Sequence, residues 1–194
     1  VSERPDLSAV VAEITGGDPN AMQALYDLYA TQLYRYCLFR IGEPEAAQDV
    51  LQEVFVQAWH GLRTFEYRGE SAFVAWLHKI ANNAVINLVR KRQRQPTVSL
   101  NTNGDWSQLH GVDLARSVCE RIELQQAIRR LSTDQQHVVA LRYFAGLSNS
   151  ETAMVLGRTE GAVKALHHRA LLRLHQLLTA DAGSAGRLTL APAA

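Results

Sequence analysis

A chain of 194 residues can hold one ordinary domain or two small ones, and a hydrophobic share of 47% excludes wholesale disorder. Twenty basic against nineteen acidic residues leave a formal net charge of +1, so bulk charge does not advertise a nucleic-acid protein. What matters is how unevenly that charge is spread. Cys37 and Cys119 lie far apart with no C-x-x-C spacing, which argues against a zinc site or disulfide framework and for buried thiols in a reducing compartment. No apolar run reaches the roughly 18 residues a bilayer span needs. The start VSERPDLSAV lacks the basic-then-apolar layout of a signal peptide, so the reading is a cytoplasmic chain without membrane insertion.

Gly and Pro cluster at boundaries and no long period-two alternation occurs, so the fold class is all-α. Asp18-Pro19 and Gly42-Glu43-Pro44 are helix entries, each with proline at the first helical position. The predicted helices of the first half span 8–15, 19–41, 44–62 and 71–92. In the third, Ala46, Val50, Leu51, Val54, Phe55, Ala58 and Leu62 form an inward stripe. Asp49, Gln52, Glu53 and Val56 share another face, in a stretch from Ile41 to Trp59 with four acids and no base. Such a face is more often solvated than an interface.

The fourth helix has the opposite character. From Lys79 onward every charge is positive (Lys79, Arg90, Lys91, Arg92 and Arg94), accompanied by Asn82, Asn83 and Asn87. Phe65, Tyr67, Phe73 and Trp76 lie just upstream. Aromatics, amides and a basic end suit single-stranded or distorted nucleic acid, through stacking, base-edge hydrogen bonds and phosphate neutralisation. Trp76, Phe73 and Ile80 at spacings of three and four also suit a core, and Trp76 is assigned mainly to packing. Three amides in one helix cost propensity, so at least one has a polar role.

Gln95 to Asp113 is polar, contains Pro96 and Gly104 and has no helical repeat; it reads as a linker between two helical domains. The second half predicts helices at 117–131, 133–145, 148–156 and 159–178, with S-x-x-E/Q capping boxes at Ser132 and Ser148. In GLSNSETAMVLGRTEGAVKALHHRAL, small Ala153 admits a close neighbour, Gly157 suits a left-handed helix end and Thr159 caps the last helix. Along that helix Ala162, Val163, Leu166, Ala170 and Leu174 are expected to face the core. Glu160, Lys164, His167, His168 and Leu171 are expected on a different face, flanked by Arg158, Arg169 and Arg173. A basic helix after a short turn is what major-groove reading with phosphate anchoring requires, although an ordinary helical hairpin shares the pattern. Adjacent histidines point about 100° apart and neither has a ligand at i+4, which argues against a metal site. The tail from Ala180, rich in small residues, is expected to lack structure.

Taken together these residues resemble a known family. AQDVLQEVFVQAW followed by YRGESAFVAWLHKIANNAVINLVRKR looks like region two of the bacterial extracytoplasmic-function (ECF) sigma factors. The segment LQQAIRRLSTDQQHVVALRYFAGLSNSETAMVLGRTEGAVKALHHRALLRL looks like region four. The resemblance covers nearly the whole chain except the linker and both tails. It implies a region two domain over 1–94, a linker over 95–116, a region four helix-turn-helix over 117–179 and a tail over 180–194. It implies a specificity subunit of RNA polymerase that directs promoter recognition, melting and initiation, with no catalytic residues and no cofactor. Its implied partners are core RNA polymerase (the β′ clamp helices and β flap), promoter DNA and an anti-sigma factor.

Residue by residue, the resemblance places Asp49, Gln52, Glu53 and Val56 on the polymerase, with Trp59 as a packing residue. It places Tyr67, Arg68, Lys79, Asn83, Asn87 and Arg90 on the −10 element, where a base is flipped into a pocket. Arg158, Thr159, Lys164, His167, His168, Arg169 and Arg173 fall to the −35 element. One departure stands out: members often read G-T-V-K-S-R-L where this chain has GAVKALHHR, so Leu166 replaces a common arginine and Ala165 a serine. Two other classes fit less well. A stand-alone repressor or response regulator needs a receiver, ligand pocket or dimerisation element, and a serine recombinase needs an α/β catalytic domain around its nucleophile. The first half offers none of these.

Overall fold

The computed structural model describes residues 6–94 and 118–185, and all the regular structure among them is helical. In chain order these are α1 (Leu7–Thr15), α2 (Pro19–Ile41), α3 (Pro44–Leu62), α4 (Glu70–Arg94), α5 (Val118–Arg129), α6 (Thr133–Val139), a π-turn (Ala140–Phe144), α7 (Asn149–Leu156) and α8 (Glu160–Ala185). The linker assigned to 95–116 lies outside the described residues. Helix α8 runs on to Ala185, past the start of the segment expected to lack structure, and the rest of that tail also lies outside them.

The helices begin and end for local reasons. Asp18 accepts from the Asn20 amide with Pro19 at the first position of α2, and Gly42 ends that helix in the left-handed region at φ 81°. Ser132 and Ser148 form complete capping boxes with Gln135 and Glu151. Gly157 closes α7 at φ 62°, where an L side chain is strained. Glu43 precedes α3 but does not cap it. Its carboxylate instead meets the Arg92 guanidinium through two hydrogen bonds of 3.0 and 2.9 Å, tying the start of α3 to the end of α4 across 49 residues of sequence.

Helices α1 to α4 enclose the first part of the core. The α3 stripe is buried as expected, except that Ala47 is fully enclosed while Ala46 is half-buried, a one-residue shift in the centre of the face. Tyr29, Tyr36, Leu25, Leu33 and Phe73 are essentially without exposure. Trp76 packs on Phe65 with ring centroids 4.6 Å apart. A Cβ at Gly61 would lie 2.9 Å from the Trp76 ring, so glycine is what lets α3 approach α4 there. Among the three amides, Asn82 serves the fold, since it is buried and accepts a 2.9 Å hydrogen bond from the Tyr36 hydroxyl. Burial holds the Tyr36 phenol well above its ordinary pKa and pushes the Cys37 thiol up to about 12, so both stay neutral.

The two halves pack together. Helix α7 lies against α4 and the π-turn lies against α2, joining one hydrophobic core that runs from Leu7 to Leu177. Phe39 and Phe144 stack across this seam at 3.9 Å. The seam also encloses polar groups: His78 of α4 and Thr152 of α7 are both fully buried. His78 Nδ1 lies 2.9 Å from the Val74 carbonyl, whose oxygen can only accept, so the proton sits on Nδ1. Its Nε2, Thr152 Oγ1 and Asn149 Oδ1 are buried with no hydrogen-bond partner among the described residues. Each such group costs about 1–3 kcal/mol. The seam is therefore easier to part than a wholly apolar interface of the same size.

Candidate nucleic-acid and partner interfaces

Alternation of buried and exposed positions along α3 leaves Asp49, Gln52, Glu53 and Val56 all exposed, at the i, i+3, i+4, i+7 spacing of a single helix face. Val56 is 57% exposed, a large apolar side chain at the C-terminal end of this acidic face. Two carboxylates, an amide and an exposed valine thus share one face of α3. Glu53 accepts a 2.8 Å hydrogen bond from Gln57 one turn along the helix, which steadies its carboxylate.

The basic helix separates its roles by face. Val74, Ala75, Leu77, His78, Ala81 and Val85 are buried, whereas Lys79, Asn83, Asn87 and Arg90 are exposed. At 100° per residue those four lie within roughly 80° of one another. Among the described residues none of the four side chains has an intramolecular hydrogen bond or ion pair. The result is a ready stripe of two cations and two amides. Asn87, Arg90, Lys91 and Arg94 line a recess of about 310 Å³ at its end. A groove of about 370 Å³ between α3 and α4 carries Asp49 and Glu53 on one wall and Asn87 and Lys91 on the other, so the acidic and basic stripes adjoin.

Before α4, the loop from Arg63 to Gly69 covers a shallow cavity of about 350 Å³ lined by Gly61, Thr64, Phe65, Arg68, Ala72 and Trp76. One aromatic wall, a polar rim and a guanidinium suit a flat heteroaromatic ring with a charged backbone. Arg68 is exposed and paired at 2.7 Å with Glu66, an ion pair that solvent weakens. Tyr67 beside it is half-buried.

In the second half α6, the π-turn, α7 and α8 form a helix-turn-helix. Val163, Leu166, Ala170 and Leu174 of α8 are buried as expected and Leu177 joins them, while Ala162, expected in the core, is exposed. Lys164, His168, Arg169 and Arg173 are exposed. Lys164 pairs with Glu160 at 2.8 Å, and Arg158 with Asp134 at 2.6 Å. Thr159 accepts from the Ala162 amide at 3.3 Å, so its hydroxyl caps α8. His167 differs from its neighbour: it is half-buried, with Nε2 3.0 Å from the Tyr143 hydroxyl. Burial, then Arg142 and His168, lower its pKa, so the ring is neutral at neutral pH.

Three of these features escaped the sequence reading: the Glu43–Arg92 pair, buried His78 and the Tyr143–His167 contact. The i+49 and i+24 separations leave no periodic trace. His78 differs from a surface histidine only in sharing the α4 face of Val74, Ala81 and Val85. No group of three or more His, Cys, Asp or Glu side chains that could hold a metal ion occurs among the described residues. None of their helices is long and apolar enough to cross a membrane.

Comparison with known proteins agrees with this layout. The profile of Sigma-70 region 2 matches residues 25–95, and that of Sigma-70, region 4 matches residues 121–174. The ECF RNA polymerase sigma factor BldN of Streptomyces coelicolor is 36% identical over 186 residues, covering 93% of this chain and 69% of that protein. The ECF RNA polymerase sigma factor SigD of Mycobacterium tuberculosis is 33% identical over 180 residues, covering 90% and 84%. The structure of CnrH in complex with the cytosolic domain of CnrY is similar at a TM-score of 0.68 and 28% identity, over 89% of this chain and 97% of that one. The sigma factor RpoE from Bartonella quintana, solved with the anti-sigma factor NepR, follows at 0.63 and 25%, over 82% and 97%. With acidic, basic and helix-turn-helix surfaces in that order along an all-helical chain, this protein belongs to the ECF sigma factors, the promoter-directing alternative sigma subunits of RNA polymerase.

Proposed function

We propose that the three surfaces divide the work of initiation. Asp49, Gln52, Glu53 and Val56 dock on the clamp helices of the β′ subunit. Lys79, Asn83, Asn87 and Arg90 hold the opened −10 element while Tyr67 and Arg68 flank the cavity against Trp76 that receives a flipped base. Lys164, His168 and Arg169 read the −35 element in the major groove, with Arg158 and Arg173 on phosphates and the region four half against the β flap. The chain performs no catalysis itself and acts in the cytoplasm. The observation that carries this reading is the exposed Lys79–Asn83–Asn87–Arg90 stripe, unpaired among the described residues, beside the acidic face of α3.

The closed packing bears on the same reading. Two elements about 25 positions apart are separated by roughly 80 Å at 3.4 Å per base pair. A compact chain of this length has a radius of gyration of about 16 Å. With α4 against α7 it cannot touch both elements, so residues 1–94 and 117–179 act as separate domains on the promoter and the segment 95–116 bridges them. The two solved relatives described above are in complex with CnrY and NepR, and a comparable anti-sigma factor fits this chain as the partner of its closed form. Chemical probing of unpaired thymines tests the proposal: reactivity within the −10 element should appear only when chain, core polymerase and promoter are combined. Equal reactivity without core, or none with it, contradicts the reading.

A further inference from the structure

The π-turn is the least regular part of the second half, and it distributes three nearby side chains to three different places. The Ala145 amide reaches back five residues to the Ala140 carbonyl, and that of Leu147 reaches the Leu141 carbonyl. Arg142 then bonds the Leu147 carbonyl, Phe144 stacks on Phe39, and Tyr143 turns onto α8. A π-bulge of this kind re-aims side chains that a regular helix would send elsewhere.

Tyr143 meets His167 through more than its hydroxyl: the ring centroids are 5.6 Å apart at 45°. His167 sits about 40° around the helix from buried Val163, whereas His168 sits about 140° away and faces outward. The neutral imidazole has one donor and one acceptor nitrogen, and the hydroxyl at Nε2 fixes which one is engaged. The core face of α8 is built from Val163, Leu166, Ala170 and Leu174, apolar contacts that do not constrain direction as a hydrogen bond does. A roll of about 15° would carry a side-chain tip about 8 Å from the axis through roughly 2 Å. Groove reading tolerates only about 0.5 Å.

We infer that Tyr143 is a positioning residue for promoter recognition: through Nε2 of His167 it sets the roll of α8 and so the direction of Lys164 and His168. This rests on the proposal that α8 reads the −35 element. The structure thus reassigns His167 from a base contact to a brace, and the unconventional ALHHR sequence pairs a brace with an outward reader.

The test is transcription by chain plus core polymerase on promoters differing only at single −35 positions, read as the ratio of preferred to substituted output. Tyr143→Phe, which keeps the ring, and His167→Leu should each compress that ratio by about 5- to 10-fold, within the discrimination one base contact provides. His167→Gln, which can still meet the hydroxyl, should keep it within about twofold. The double variant Tyr143→Phe with His167→Leu should be no worse than either single one. Helicity and core affinity should stay at wild-type values. Full selectivity in Tyr143→Phe overturns the inference. So does loss in His167→Gln as complete as in His167→Leu, which would make the imidazole itself the reader. If Lys164→Ala, His168→Ala and Arg169→Ala also leave the ratio intact, α8 is not the reading helix and the underlying proposal falls with it. If any of those three lowers it while Tyr143→Phe does not, only the brace is wrong.

Discussion

Phe39 and Phe144 stack 3.9 Å apart at an interplanar angle of 30°, one ring from each half of the chain. Both are buried, so their contact forms part of the apolar seal that holds the closed form together. Phe39→Ala removes a ring worth about 3–5 kcal/mol in a core, shared between α2 packing and the seam. Small-angle scattering should then give a larger radius of gyration at unchanged helicity. An unchanged radius would show that closure does not depend on the pair.

Acid should open the same seam. His78 is held below its ordinary pKa by burial, against the opposing pull of the Val74 carbonyl and Glu151. The groups that face it are Glu151 on α7 and the Tyr36 ring edge on α2. Burial would raise the Glu151 pKa, but hydrogen bonds from Ser148 and Ser71 and the nearness of His78 outweigh it, so Glu151 stays ionised across the window. Tyr36 stays neutral there. A base with a depressed folded-state pKa contributes its full share above the unfolded value, about 6.5, and loses it as pH falls toward the depressed one. The scattering radius should be flat from about pH 8 to 7 and grow toward about pH 5.5, with His78→Leu weakening that growth. A response identical in wild type and His78→Leu would place the pH sensitivity elsewhere.

The Glu43–Arg92 pair should matter for the angle between docking helix and basic helix. Arg92 is 17% exposed and Glu43 37%, so solvent screens part of the attraction. Glu43→Gln should cost about 1–2 kcal/mol in thermal unfolding, because a half-buried guanidinium loses its charged partner. The cost should be no greater when Arg92→Met is added. Additive losses would mean the two side chains act independently.

Docking and reading should separate cleanly by mutation. Asp49→Ala with Glu53→Ala is expected to lower core affinity about tenfold or more, as loss of two interfacial charges allows. Asn83→Ala should leave core affinity intact while flattening the response to −10 substitutions. Asn83→Ala output that still tracks every −10 variant as wild type does would remove that residue from the reading set.

Much of this was legible in the sequence because helices announce themselves locally. Asp18-Pro19, the Ser132 and Ser148 capping boxes and Gly157 mark ends through bonds that span only a few residues, and all four stand where expected. Periodicity found the face of Val50, Val54 and Ala58, because burial on one side of a helix repeats every three or four positions. It could not say what that face meets. The seam, the Tyr36–Asn82 bond and the Glu43–Arg92 pair join distant residues whose identities carry no mutual signal. The π-turn was invisible for another reason: ALRYF is ordinary helical sequence, with no Gly or Pro to mark the irregularity. At the interfaces, charge pattern located the faces, but His167 turns inward and His168 does not because of Tyr143, a partner 24 residues away.

Run-off transcription with purified core polymerase, followed by mapping of start sites, decides whether this chain directs RNA polymerase to promoters. The chain should confer initiation at defined positions downstream of paired −35 and −10 elements. Asp49→Ala with Glu53→Ala and Asn83→Ala should each reduce that output for their different reasons. Folded chain that directs no initiation with any of several bacterial cores, yet binds duplex palindromes cooperatively by itself, would contradict that role.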